Sequence, residues 1–136
     1  MRSFLLLAVL LAAGCTHSAD EPLSLVDNPY YQALGHSPRW TLAIGDEDIA
    51  LRLGHDNFPE GDTAFVDYRF PRRGARHIDG GRRWHSTRGD SEIIVEATPG
   101  PCDLGHGDRF EDVVRVRLGS REYRGCGGRL LREGRS

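Results

Sequence analysis

Regular alternation of apolar and polar residues is the feature that most constrains how this 136-residue chain can fold. Large apolar side chains occupy every second position from Trp40 to Ile44, and the alternation resumes from Ile49 to Leu53 after a turn at 45–47. A period of two on both sides of a tight turn is typical of a β-hairpin that buries one face. Because no stretch of useful length carries a helical stripe, the sequence predicts an all-β protein.

A second hairpin, near the C-terminus, has a register that can be predicted. Gly119-Ser120 forms a two-residue turn between alternating runs at 113–118 and 121–126. A turn of that length pairs Leu118 with Arg121, Val116 with Tyr123, and Val114 with Gly125. The remaining predicted strands lie at 65–70, 83–87 and 92–98. About seven or eight short strands, separated by glycines and prolines, predict a small antiparallel barrel or sandwich.

The first fifteen residues have the parts of a bacterial lipoprotein export signal. Arg2 is followed by an unbroken apolar run from Phe4 to Ala13, and small residues precede Cys15. This run is too short to cross a membrane as a helix, which needs about 20 residues, so no transmembrane anchor is expected. We predict that Cys15 carries lipid, palmitate included. The alternative is ordinary signal cleavage that leaves a free thiol.

The chain therefore divides into three predicted parts: a signal peptide at 1–14, the lipidated cysteine with a tether at 15–34, and a single β domain at 35–136. Thr16 follows Cys15 at the position where an Asp typically retains lipoproteins in the inner membrane. We therefore predict that the lipid anchor holds the protein on the outer membrane, with its domain facing the periplasm.

The three cysteines are consistent with an exported protein. If Cys15 carries lipid, Cys102 and Cys126 remain as a pair in an oxidising compartment, where a disulfide is the expected state. Metal binding by the two thiols is the alternative, although no Cys-x-x-Cys motif or nearby set of Cys and His accompanies them. We predict one disulfide, Cys102–Cys126.

The segment that ends at Trp40 resembles the opening motif of a family of small, uncharacterised bacterial envelope lipoproteins, Gly-x-Glu-Pro-Phe-Trp. Here Ser37 and Arg39 stand where the family has Glu and Phe. The family's later Cys-x-Asp-Gly and Gly-Cys motifs correspond to residues 102–105 and 125–126. The resemblance implies an envelope location, a paired Cys102 and Cys126, and a buried Trp40. It implies no activity.

Candidate catalytic and metal-binding motifs are all incomplete. No two histidines have the spacing of a zinc site. The segment 105–109 lacks the later glycine and the helix of a phosphate-binding loop, and Ser37 is not in a nucleophile elbow. The carboxylates at 46–48 do not form a calcium-binding pattern. We therefore predict a non-enzymatic protein without a cofactor or a metal site.

Charge is distributed unevenly along the chain. Residues 15–68 contain ten acidic residues and two arginines, whereas residues 69–88 contain seven arginines and one acidic residue. We call residues 69–88 the arginine segment and predict that it forms a surface patch for an anionic partner. The alternative is that its arginines pair with the acidic first third. The predicted patch residues are Arg69, Arg72, Arg73, Arg76, Arg82, Arg83, Trp84 and Arg88.

These observations predict a non-enzymatic, lipid-anchored envelope protein that acts as a binding or structural module. Its partners would be the membrane, through the anchor, and an anionic envelope component or a protein; the compartment excludes nucleic acid. An alternative is a small barrel like the membrane-bound lysozyme inhibitors, with 86–91 as a candidate inhibitory loop. A barrel that holds a small apolar ligand is a third possibility.

Overall fold

The computed structural model describes Val26 and residues 29–54, 65–105 and 107–131. The predicted signal peptide, lipid attachment at Cys15 and most of the predicted tether lie outside the described residues, as do His55 and His106. Within the described ranges, no helix has the length and apolar character needed to cross a membrane.

The described residues form nine β-strands. They are β1 (Tyr31–Gly35), β2 (Trp40–Ile44), β3 (Asp48–Gly54), β4 (Phe65–Pro71), β5 (Arg76–Ile78), β6 (Gly81–Arg88), β7 (Ser91–Asp103), β8 (Arg109–Leu118) and β9 (Arg121–Leu131).

One antiparallel sheet contains all nine strands in the order β4-β3-β2-β1-β9-β8-β7-β6-β5. Strands that are consecutive in the chain are neighbours in the sheet, except β4 and β5. The first and last strands are also neighbours, because β1 pairs with β9 through Ala33–Gly127 and Leu34–Cys126. The sheet curls into a half-barrel, so the all-β, antiparallel prediction is confirmed.

Two of the nine strands are absent from the sequence-based prediction. β1 carries only small or polar residues between Tyr31 and Leu34, so it lacks a strong alternating pattern, and it begins inside the range assigned to the tether. β5 has only three residues, Arg76-His77-Ile78, which are too few to show a period. Both strands owe their pairing to their neighbours in the sheet.

The two predicted hairpins form as expected. In β2–β3, Trp40 pairs with Leu53 and Ile44 pairs with Ile49. In β8–β9 the predicted register is confirmed at all three positions: Leu118 pairs with Arg121, Val116 with Tyr123, and Val114 with Gly125. The two-residue turn at 119–120 sets this register and places the inward-facing residues of both strands on the same side of the sheet.

The core lies on the concave face of the sheet. It is formed by inward-facing residues from most strands, with Trp40 and Trp84 its two largest fully buried side chains. The resemblance-based expectation that Trp40 is buried is therefore met. A second, smaller cluster lies on the outer face, where Val26 packs on Ala43 and Ala50. Part of the predicted tether thus packs against the domain.

β4 and β5 are the two edge strands of the sheet and do not pair with each other. Side chains of β6 form hydrogen bonds to β4 instead. The Ser86 hydroxyl donates a hydrogen bond to the carbonyl oxygen of Pro71. The Arg88 guanidinium donates to the carbonyl oxygen of Arg69 over 3.2 Å. These two donors satisfy carbonyl groups that an open edge of β4 would otherwise leave unpaired.

The predicted disulfide is present. Cys102 on β7 and Cys126 on β9 are bonded across β8, with their Cα atoms 5.5 Å apart. The bond follows an irregularity in the β7–β8 ladder between Pro99 and Cys102. It joins the C-terminal end of β7 to β9, the strand that pairs with β1.

Candidate functional site

The residues of the arginine segment do not form one patch. Arg69 and Arg72 lie at the end of β4 and pair with acidic residues of the first third of the chain: Arg69 with Asp48 at 3.4 Å and Arg72 with Asp46 at 3.8 Å. For these two arginines the structure agrees with the alternative expectation of internal pairing. Arg88 donates to a backbone carbonyl of β4.

Trp84 is not a surface residue, which corrects its assignment to the predicted patch. Its side chain is 0% exposed because alternate residues of β6 face opposite sides of the sheet, and Trp84 faces the core. Arg82 faces the same side at the end of the core. There its guanidinium lies 3.7 Å from the Asp112 carboxylate and over the rings of Tyr31 and Trp84.

Arg73 and Arg76 differ from the other residues of the segment. Both are exposed, and within the described ranges neither has a carboxylate oxygen within 4.0 Å. Arg76 pairs directly with Arg83 across the β5–β6 ladder. Two arginines at directly opposed positions repel each other unless an acidic residue or an anion lies nearby.

The register of four consecutive ladders extends this pair into a row across five strands. Arg83 on β6 is opposite Glu96 on β7, Glu96 is opposite Arg115 on β8, and Arg115 is opposite Arg124 on β9. We call Arg76, Arg83, Glu96, Arg115 and Arg124 the basic row. With strands about 4.8 Å apart, the row spans about 19 Å on the outer face of the sheet.

Glu96 binds two arginines at the centre of the basic row. It is 9% exposed and accepts hydrogen bonds from Arg83 at 2.6 Å and from Arg115 at 2.8 Å. The hydrogen bond from Arg115, followed by that from Arg83, lowers the pKa of the Glu96 carboxyl below its usual range, against the opposing effect of burial. The same contact raises the pKa of Arg115. Both guanidiniums are therefore held in place by the Glu96 carboxylate.

The outer face around the basic row carries more positive than negative charge. The adjacent row consists of His85, Ile94, Arg117 and Glu122, which are paired in register across β6 to β9. Together the two rows contain five arginines and two glutamates, a surplus of three positive charges. Glu122 pairs with Arg124 at 2.9 Å. The whole chain, by contrast, has a net charge of −2.

An open groove of about 180 Å³ lies beside the basic row. Its lining includes Glu96, Arg115 and Arg124, together with Val113, an exposed apolar side chain of β8. An anionic group in this groove would lie between two arginines from different strands. The groove is thus the part of the basic row best shaped to hold a ligand.

Sequence reasoning missed the basic row because it joins residues that are distant in the chain. The predicted β8–β9 register already placed Arg115 opposite Arg124, so part of the signal was present. The link to Arg83 depends on the β6–β7 and β7–β8 registers, which the alternating pattern alone did not specify.

The remaining candidate motifs have ordinary structural positions. Ser86 is buried and bonded to β4, and Gly89-Asp90 forms the tight turn to β7, so the candidate inhibitory loop 86–91 lies in the β6–β7 hairpin. Asp46 and Glu47 lie in the β2–β3 turn. In the part of the chain that the structure describes, no group of three or more His, Cys, Asp and Glu side chains could hold a metal ion.

Replacing Glu96 with glutamine is expected to lower the free energy of unfolding by about 1–2 kcal/mol at neutral pH, because two charge-assisted hydrogen bonds weaken. The effect is no larger than this because solvent screens the half-exposed arginines. The folded-state pKa of Glu96 is depressed. Its contribution is therefore fully present above the unfolded-state pKa of about 4.3 and is lost as the pH falls through the folded value.

Urea denaturation of the E96Q variant and the parent at neutral and acidic pH measures this difference, which should shrink on acidification. Glu122→Gln is the matched control, since its pair with Arg124 is exposed, and it should change stability by less than about 0.5 kcal/mol. Equal stability of E96Q and the parent at neutral pH would contradict the role given to Glu96.

Comparison of the chain with protein-family models, with curated proteins and with solved structures finds no match. The resemblance to the family of envelope lipoproteins therefore stays a prediction.

Proposed function

We propose that this chain is a lipid-anchored protein of the bacterial envelope, without catalytic activity, that binds a phosphate-bearing anionic component through the basic row. The observation that carries the proposal is the surplus of three positive charges in two adjacent rows of one sheet face, on a chain whose net charge is negative. The outer membrane, with the domain in the periplasm, is the proposed location.

The location rests on two observations that support each other. The N-terminal sequence has the parts of a lipoprotein signal that ends at Cys15. The other two cysteines form a disulfide, as expected in an oxidising compartment and not in the bacterial cytosol. Lipid at Cys15 would leave no cysteine unpaired, so the anchor and the disulfide account for all three.

The arrangement of the basic row favours a phosphate group. A guanidinium presents five N–H donors in a planar fork that matches phosphate geometry, and Glu96 uses only part of this capacity in Arg83 and Arg115. Because Glu96 already fixes both side chains, a ligand would bind them with a smaller loss of conformational entropy. Arg124 adds a guanidinium that is 76% exposed at the end of the row.

A lipid anchor makes the basic row unnecessary for membrane attachment. Two signals suffice for stable anchoring, and several acyl chains already exceed this requirement. The role of the basic row is therefore recognition: it would select which phosphate-bearing molecules of the envelope the protein contacts. A non-enzymatic role is consistent with an arrangement of arginines and one structural glutamate that offers no nucleophile.

The triple variant R76S/R115S/R124S tests the proposal. It is made in a Cys15→Ser chain, which lacks the thiol for lipid attachment. Co-sedimentation with phosphatidylglycerol-containing vesicles should show affinity about 100-fold below that of the parent, since each arginine near an anionic surface contributes about 1 kcal/mol. Neither protein should bind pure phosphatidylcholine vesicles. Arg83 is retained so that Glu96 keeps a partner.

The matched control is R39S/R109S/R121S, which removes the same charge from exposed arginines outside the basic row. Its affinity should stay within about threefold of the parent, because screening limits the effect of distant charges. Equal losses of vesicle affinity in the two triple variants would indicate an effect of net charge and would overturn the basic row as the binding site. Absence of vesicle binding by the parent at physiological salt would overturn phosphate recognition itself.

A further inference from the structure

A polar cluster interrupts the apolar concave face at one end of the half-barrel. Asp112, only 6% exposed, accepts a hydrogen bond from the Tyr31 hydroxyl at 2.9 Å, and the same carboxylate oxygen lies 3.7 Å from an Arg82 nitrogen. We call Tyr31, Arg82 and Asp112 the mouth cluster. Burial, followed by the bond to Asp112, raises the pKa of Tyr31, so its hydroxyl stays a donor.

A cavity of about 360 Å³ opens beside the mouth cluster. This volume falls within the range of small-molecule sites, about 300–1,000 Å³. The residues with polar side chains that line it are Tyr30, Tyr31, Gln32, Arg82, Glu111 and Arg129. It is separate from the basic row, with which it shares no lining residue.

Gly128 lines the cavity at a position that has no room for a side chain. Its φ of +77° lies in the left-handed region, where residues with a side chain are strained. A Cβ atom at this position would also lie 2.9 Å from the Asp112 carboxylate and closer still to Glu111. The absence of a side chain at 128 therefore allows the Glu111 and Asp112 carboxylates to lie close to the backbone at the cavity wall.

The charges around the cavity cancel. Arg82 and Arg129 are balanced by Glu111 and Asp112, and Arg129 pairs with Glu111 at 3.1 Å. A strongly charged ligand would meet groups of its own sign, and an apolar ligand would remove charged groups from water without replacing their hydrogen bonds. The cavity therefore suits a neutral ligand with many hydrogen-bonding groups.

An exposed, well-positioned aromatic ring lies at the rim. Tyr30 is 43% exposed, yet its hydroxyl accepts a hydrogen bond from the Trp84 indole at 2.9 Å. The Arg72 guanidinium lies 4.3 Å from the centre of its ring. The ring is thus fixed, with Arg72 against one of its faces and part of the residue still exposed. A rigid aromatic surface of this kind can stack against the C–H face of a sugar ring.

We infer that this cavity is a binding site for a neutral saccharide. The planar guanidinium, amide and carboxylate groups at its wall match the paired hydroxyls of a sugar, and Tyr30 supplies the stacking surface. The site is independent of the proposed function, because it shares no residue with the basic row. Cell-wall glycan and other envelope oligosaccharides are two sources of the same chemistry.

Titration of the Cys15→Ser chain with chitotetraose and with maltotetraose tests the inference. Calorimetry gives the affinity, and backbone amide NMR shifts locate the site; saturable binding with the largest shifts at Gln32 and Gly128 is expected. Binding of chitotetraose alone would point to cell-wall glycan, and binding of both probes would point to saccharides in general. Absence of binding by both, or shifts centred away from the cavity, would overturn the site.

Variants separate the site from general effects on folding. Gln32→Ala should weaken binding about tenfold, because it removes an exposed hydrogen-bonding group without disturbing the core. Gly128→Ala should abolish binding because the added methyl group displaces the Glu111 and Asp112 carboxylates at the cavity wall. Thr87→Ala, an exposed change on β6 outside the cavity, and R76S/R115S/R124S should both leave binding unchanged. Full binding by Gln32→Ala and Gly128→Ala together would also overturn the inference.

Discussion

Replacing Trp84 with alanine is expected to lower the free energy of unfolding by about 4 kcal/mol. Trp84 is 0% exposed, its ring packs against that of Tyr31 with centroids 5.1 Å apart, and its indole N–H donates to the Tyr30 hydroxyl. Alanine would leave a large cavity in a core of modest size. It would also remove the donor that positions Tyr30 at the rim.

Urea denaturation followed by circular dichroism measures this effect. Trp84→Phe should cost less, about 1–2 kcal/mol, because it keeps most of the buried area and loses the hydrogen bond. His85→Ala changes the neighbouring outward-facing residue and should stay within about 0.5 kcal/mol of the parent. A W84A protein as stable as the parent would place Trp84 on the surface, as the sequence had predicted.

Removal of the disulfide by C102A/C126A is expected to cost about 3 kcal/mol. The bond closes a loop with a sequence separation of 24, and a cross-link of this length restricts the unfolded chain by about this amount. Cys126 is fully buried, so truncation of its side chain adds a small packing loss. The half-barrel should still form, because the β8–β9 and β7–β8 ladders do not depend on the bond.

Denaturation with and without dithiothreitol separates the cross-link from the packing loss. The parent should lose about 3 kcal/mol on reduction, whereas C102A/C126A should not respond. Cys15→Ser is the control for the third cysteine and should behave like the parent. An equal response of the parent and the double variant to reductant would show that the cross-link does not stabilise the fold.

The sequence predicts the fold best where alternation and turn chemistry agree. The β8–β9 register follows from a two-residue turn between two clear alternating runs, and it is correct at every predicted pair. The β2–β3 hairpin follows the same logic. β1 and β5 were missed because their pairing depends on contacts with distant strands. Val26, assigned to a tether, is buried for the same reason.

The candidate site was harder to predict than the fold because it depends on faces and registers. Arg82, Arg83 and Trp84 are consecutive in the chain, yet only Arg83 faces outward with the basic row. The alternation along β6 already implies that Arg83 faces away from Arg82 and Trp84. The sequence-based prediction did not use it because it grouped these residues by their position in the chain. Two registers link Arg83 to Arg115, and a third links Arg115 to Arg124.

The position of β1 also affects how the domain would respond to mechanical force. With the lipid anchor proposed at Cys15, a pull would reach the contact of Val26 with Ala43 and Ala50 first and β1 next. β1 is not an edge strand that could peel away, since it is hydrogen-bonded to β2 on one side and to β9 on the other. Tension along β1 would therefore load two ladders in shear, a geometry that resists extension better than peeling a single edge strand.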